Sequence, residues 1–195
     1  MQLWVLIKKE FLIELRAKDT LISMVIFGIS IILLFSFTIP PNNQNVLSIL
    51  PGLIWMTMLF IFTVGLLRNI SREKEMDAVN MLLTAPLDRG HIFSAKMIIF
   101  MLFLLLAEIM LFPLFSFFMN FQGIANLQFW GLVLLVNWAL SAIGILATGI
   151  GFKSRLGEVL TSLLLFPFSI PVMISSIKST KSILSGDTIN QFDEW

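Results

Sequence analysis

The sequence predicts an all-α integral membrane protein, and three observations carry the prediction. Hydrophobic residues make up 57% of the chain and charged residues only 13%, where a soluble domain has about 45–50% and roughly 25%. Mean hydropathy is +0.94. The apolar residues also form five continuous runs, at 21–39, 46–67, 97–119, 129–150 and 159–177. Each is close to the ~20 residues needed to cross roughly 30 Å of hydrocarbon. Runs without period-two alternation argue against a β-barrel. The 195 residues suit a single transmembrane domain, 1–195.

The elements follow in order. Residues 3–18 predict an interfacial elbow helix, with Trp4, Ile7, Phe11 and Leu15 on one stripe and Lys9, Glu10 and Arg16 broadly opposite. Leu6 and Ile13 fall on the polar side of that pattern and Lys18 on the apolar side. The first apolar run exceeds a signal-peptide core of about 7–15 residues and no small-residue cleavage site follows it. Lys and Arg then orient the spans, because they favour the cytoplasmic side. Eleven of the thirteen lie before span one, between spans two and three, or between spans four and five. The other two inter-span loops, PPNNQN and NFQGIANLQ, carry no charge. The N-terminus is therefore expected inside, and 178–195, with Lys178, Lys181, Asp187, Asp193 and Glu194, as an extracytoplasmic segment.

The second cytoplasmic loop is unusual. Residues 68–96 read RNISREKEMDAVNMLLTAPLDRGHIFSAK and hold five of the thirteen basic and four of the twelve acidic residues. Ser71 is placed as an N-cap, with Glu73 and Glu75 favoured by the helix dipole. Met76, Val79, Leu82 and Leu83 form one apolar face. Ala85-Pro86 ends the helix, and Asp88 caps the next one. The spacing predicts a short amphipathic helix over about 72–84, across the cytoplasmic mouth. From the residues alone it is either a docking surface or a solvated loop helix.

Inside the spans the polar residues are few. Glu108 is the only ionisable one, and a charge at that depth costs about 2.5–3.5 kcal/mol on insertion scales. It must be neutralised or face another helix or a wet cavity, and Asn137 and Ser141 lie at comparable depth in the antiparallel fourth span. Either Glu108 lines a coupling or substrate path or it locks two helices together. Pro167 and Pro171 interrupt the fifth span, and Pro51-Gly52 the second, predicting a kink or a re-entrant end that serves as a gate or as a plain bend. His91 is the single histidine and is read as an exposed turn residue, not a haem ligand.

Other classes drop out. The net charge of +1 argues against a nucleic-acid partner. No cysteine is present, so disulfides and thiolate sites are excluded, and no catalytic or metal cluster is recognisable.

Three stretches carry a family resemblance: LPGLIWMTMLF, LLTAPLDRGHIFSAKMI and RLGEVLTSLLLFPFSIPVMISSIKST. With them the chain resembles the haem exporter protein B (CcmB) family, membrane subunits of an ABC transporter used in c-type cytochrome maturation. Two departures stand out. Asp77 occupies a place near which the family usually has a glycine, and the family usually has a sixth span, so a truncated chain is expected. The resemblance implies an ABC-2-type exporter permease fold in the bacterial cytoplasmic (inner) membrane. It implies a cytoplasmic ATPase partner docking at Glu73, Glu75, Met76, Val79, Leu82 and Leu83, followed by a turn at Pro86, Asp88 and Arg89. It also implies a second copy of the chain and haem-handling membrane proteins as partners, with haem as the handled ligand and ATP on the partner. The chain has no GxxxxGK[ST] loop, so it cannot bind ATP in that way itself. A related permease for a polysaccharide, lipid or drug, or a membrane assembly factor that transports nothing, would share the same topology.

Overall fold

The computed structural model of the chain describes residues 4, 6–9, 11–12, 19–39, 46–75, 88–151 and 156–185. Five helices follow one another: α1 (Asp19–Thr38), α2 (Val46–Glu75), α3 (Arg89–Met119), α4 (Leu127–Gly151) and α5 (Gly157–Ser185). A 3-10 turn at Gly123–Ala125 links α3 to α4. All five helices are long and apolar enough to cross a membrane, and no strand occurs among the described residues.

The helices close a ring in the order α1, α2, α5, α4, α3, with α2 also touching α3 and α4 across it. That position makes α2 the most enclosed span, with 61% of its apolar stretch buried against 22% of α1. Large apolar side chains cover the outside, among them Leu135 and Trp138 on α4 and Leu163 and Phe168 on α5. Lipid tails are as apolar as leucine, so exclusion from water does not hold such helices together; close packing and hydrogen bonds do.

Two features show this packing. An aromatic cluster joins α2, α3 and α4: Phe129 meets Phe112 at 5.2 Å and Phe121 at 5.1 Å between ring centroids, and Trp55 at 6.5 Å. Edge-to-face pairs of this kind add about 0.5–1.5 kcal/mol each beyond the area they bury. Glycine brings other surfaces together: a Cβ at Gly144 would lie 2.7 Å from Cζ of Phe62, and one at Gly151 would lie 2.7 Å from the Gly157 carbonyl oxygen. The second contact is backbone against backbone, and it sets how closely α5 approaches the end of α4.

The spans match the expected runs, and the differences lie at their ends. Nothing between Arg68 and Glu75 breaks a helix, so α2 continues to Glu75. Ser71 is therefore not an N-cap. It lies inside α2, where its hydroxyl donates to the Leu67 carbonyl, and its expected cap role is corrected. The predicted cap at Asp88 is observed: its backbone is extended (φ −65, ψ 129) and its carboxylate accepts from the Gly90 N–H. The fifth helix passes the expected boundary at Ile177 and takes in Lys178 and Lys181, because no glycine or proline intervenes before Ser185. It runs on through Pro167 and Pro171, both exposed, so no re-entrant end forms.

The described N-terminal residues 4, 6–9 and 11–12 are helical, as the elbow predicts. Of the expected stripe, Ile7 and Phe11 face the bundle and Trp4 does not. Leu6, placed on the polar side, packs with Ala95, and Ile7 with Ile92 joins that contact, while Trp4 is exposed. Phe11 meets Phe103 at 6.2 Å. An interfacial helix has apolar surroundings on the lipid side as well as on the protein side, so hydrophobicity alone does not say which stripe docks.

Candidate functional site

Two sites predicted from sequence can be placed. The first is the charged segment after α2. Its helix, expected over about 72–84, lies largely outside the described residues, as do Met76, Val79, Leu82, Leu83 and Pro86. Glu73 and Glu75 fall in the last turn of α2. Asp88 and Arg89 are exposed where the chain re-enters the bundle, with His91 Nδ1 3.5 Å from Asp88 Oδ2. At the same end Ser71 Oγ lies 3.1 Å from Glu158 Oε1 at the start of α5, so its one hydroxyl proton is shared between this carboxylate and the Leu67 carbonyl. Far along both helices a second tie forms, with Trp55 Nε1 donating to Thr180 Oγ1 over 2.8 Å in a buried setting. α2, which leads into the charged segment, is thus linked to α5 at two separate levels.

The second site is inside the bundle. Glu108 lies 11 residues from the end of α3 and Asn137 lies 10 from the start of α4. At 1.5 Å per residue both are about 15–17 Å from the shared end of the bundle. Asn137 Nδ2 donates to Glu108 Oε2, and both residues are fully buried. Ser141 lies one turn further along the same face of α4. Three buried oxygens here have no partner: Glu108 Oε1, Asn137 Oδ1 and Ser141 Oγ. Other hydroxyls in the spans, such as Thr57, Thr161 and Ser169, donate to the carbonyl four residues back. Ser141 Oγ makes no such bond. The expected pairing of Glu108 with Asn137 is observed, and Ser141, buried on the next turn of α4, has no hydrogen-bond partner. Pro167 and Pro171 belong to neither site.

Among the described residues no group of three or more His, Asp or Glu is placed to hold a metal ion. The two links between α2 and α5 were not foreseen. The signal available for one was Trp55, an indole N–H in an apolar run, which needs an acceptor once buried. Its acceptor Thr180 lay beyond the expected end of the fifth span.

The whole pattern can now be set beside known proteins. The family model described as "CcmB protein" matches residues 1–192. The chain belongs to the CcmB family. Three proteins named heme exporter protein B are similar to it. The one from Pseudomonas aeruginosa is 24% identical over 181 residues, covering 93% of this chain and 81% of its own length. The one from Haemophilus influenzae is 30% identical over 175 residues, covering 87% and 76%. The one from Paracoccus denitrificans is 25% identical over 160 residues, covering 82% and 73%. A multi-pass, all-helical CcmB protein is what composition, spans and family model together describe.

Proposed function

We propose that this chain is the membrane subunit of an ABC-type complex that handles haem during c-type cytochrome maturation. The observation that carries the reading is the CcmB match across nearly the whole chain, shared with relatives named heme exporter protein B. The chain has no phosphate loop, so ATP hydrolysis belongs to a cytoplasmic partner. That partner grips the segment 72–84 and the turn at Pro86, Asp88 and Arg89. The membrane is the bacterial inner membrane, with the N-terminus on the cytoplasmic side that the Lys and Arg distribution favours.

The bundle gives the grip a way to act. A helix of 30 residues is about 45 Å long, and between Glu75 and Trp55 α2 contains no proline, so it can carry movement at Glu75 as far as Trp55. The Ser71–Glu158 and Trp55–Thr180 hydrogen bonds make α5 move with it. The Glu108–Asn137 bond holds α3 to α4, so the motion shifts one helix pair against the other. Haem delivery, or release of a haem-loaded carrier, takes place at the far face.

The test has two parts. Deleting the gene should abolish covalent haem on c-type cytochromes, read by haem staining of a gel; normal staining would reject the haem assignment. Altering residues 73–83 should remove an ATPase that otherwise co-purifies, and an ATPase retained at full yield would reject the docking segment.

A further inference from the structure

One acid inside the membrane has no counter-charge in the spans around it. Glu108 is fully buried in α3, and the apolar runs 21–39, 46–67, 97–119, 129–150 and 159–177 contain no Lys, Arg or His. A lone carboxylate in such surroundings is costly, so something that the spans do not supply must neutralise it. The hydrogen bonds around it point the same way. Asn137 Nδ2 already donates to Glu108 Oε2, and three buried oxygens remain without a donor: Glu108 Oε1, Asn137 Oδ1 and Ser141 Oγ. Asn137 and Ser141 are four residues apart and share one face of α4, the face that Asn137 brings to Glu108. Other buried hydroxyls show what a satisfied one looks like: Thr161, Ser169 and Thr180 each donate to the carbonyl four residues back.

Three kinds of occupant could meet this need, and they differ in how much of it they meet. A proton on Glu108 removes the charge but supplies one hydrogen, leaving the other oxygens as they are. A water molecule can donate to two of the oxygens but leaves the charge in place. A small cation does both, because several oxygens coordinate it at once. Carboxylate, amide and hydroxyl oxygens suit hard cations, and one carboxylate balances one positive charge. We propose that Glu108, Asn137 and Ser141 form a binding site for one small monovalent cation, of the class of Na+, held between α3 and α4. Because both helices supply ligands, the bound ion holds them together, and separating them releases it. The proposal does not rest on haem handling, and its failure would leave that reading as it stands.

The purified full-length chain in neutral detergent tests the site, in Na+ or in choline at equal ionic strength and pH. Dicyclohexylcarbodiimide, an apolar reagent for buried carboxyl groups, is followed at Glu108 by peptide mass spectrometry, and the thermal midpoint is measured in parallel. At about ten times its Kd, Na+ leaves about one-tenth of the sites free, so labelling of Glu108 should slow about tenfold relative to choline. Na+ should raise the midpoint of the parent and not that of Glu108→Gln. Ser141→Ala breaks no hydrogen bond in the bundle; it should keep Glu108 reactive and weaken Na+ affinity at least about threefold. Ser169→Ala, whose hydroxyl is bonded to the Leu165 carbonyl, should keep full protection by Na+. Equal labelling and equal midpoints in Na+ and choline would overturn the proposal, since the carboxyl would then carry only a proton. A Na+ effect on the midpoint that Glu108→Gln retains, or protection that Ser141→Ala leaves unchanged, would overturn it as well.

Discussion

Replacing Glu108 by Gln should leave the bundle about as stable as the parent chain, whereas replacing Asn137 by Ala should not. Asn137 Nδ2 donates to Glu108 Oε2, and Glu108 Oε1, Asn137 Oδ1 and Ser141 Oγ are buried acceptors without a donor. A Gln at 108 keeps an oxygen to accept from Asn137 and replaces the other, unsupplied oxygen by an NH2 group. The expected change is within about 1 kcal/mol, the scale of one interhelical hydrogen bond in a membrane. Asn137→Ala removes that bond, which is worth on average about 0.6 kcal/mol, and leaves the carboxyl buried without a partner, a penalty of about 1–3 kcal/mol. The sum is about 1.6–3.6 kcal/mol. Titrating the micellar protein with SDS and following helix content by circular dichroism would measure both. If Glu108→Gln costs as much as Asn137→Ala, the argument from hydrogen-bond satisfaction is wrong. Covalent haem staining separates the two roles left open by the sequence. A locking bond predicts normal staining for Glu108→Gln, while lost staining with normal assembly would assign Glu108 to the coupling or substrate path.

Three other outcomes can be checked with the same unfolding assay. Trp55→Phe and Thr180→Val should each cost about 1 kcal/mol and the double variant less than their sum, because both remove one 2.8 Å hydrogen bond; full additivity would show that the bond contributes nothing. Gly144→Ala should cost about 1–3 kcal/mol, since its Cβ would lie 2.7 Å from Phe62 Cζ, and Phe62→Leu in the same chain should recover part of the loss. Asp88→Ala should cost about 0.5–2 kcal/mol and Asp88→Ser much less, as serine also caps the first turn of α3.

Some features were legible because they depend on local chemistry. Asp88 caps α3 because a short side-chain acceptor two residues before an unpaired N–H is a local arrangement. The pairing of Glu108 with Asn137 was legible because antiparallel spans of known start and end fix relative depth, and a polar group at that depth needs a partner. The Ser71 cap was misread because charge and polarity resemble a helix start, while helix formation in 68–75 needs only the absence of a breaker. On the elbow, Ile7 and Phe11 of the expected stripe meet the bundle, while Leu6 was missed and Trp4 is exposed because a membrane interface offers apolar surroundings on both sides of the helix.

The sequence by itself determined that the protein is helical and membrane-spanning, how many described helices cross, and which family it belongs to. Hydrocarbon thickness and the need to satisfy every backbone polar group leave few solutions for five apolar runs. Only the tertiary structure decided the ring order, the two links between α2 and α5, and the unpartnered oxygens of Glu108, Asn137 and Ser141. The physical reason is that all faces of these helices are apolar, so the pattern that marks a buried face in a soluble protein is absent. Which face turns inward is decided instead by where Phe62 can meet Gly144 and where Trp55 can reach Thr180, and such contacts between distant segments exist only once the chain is packed.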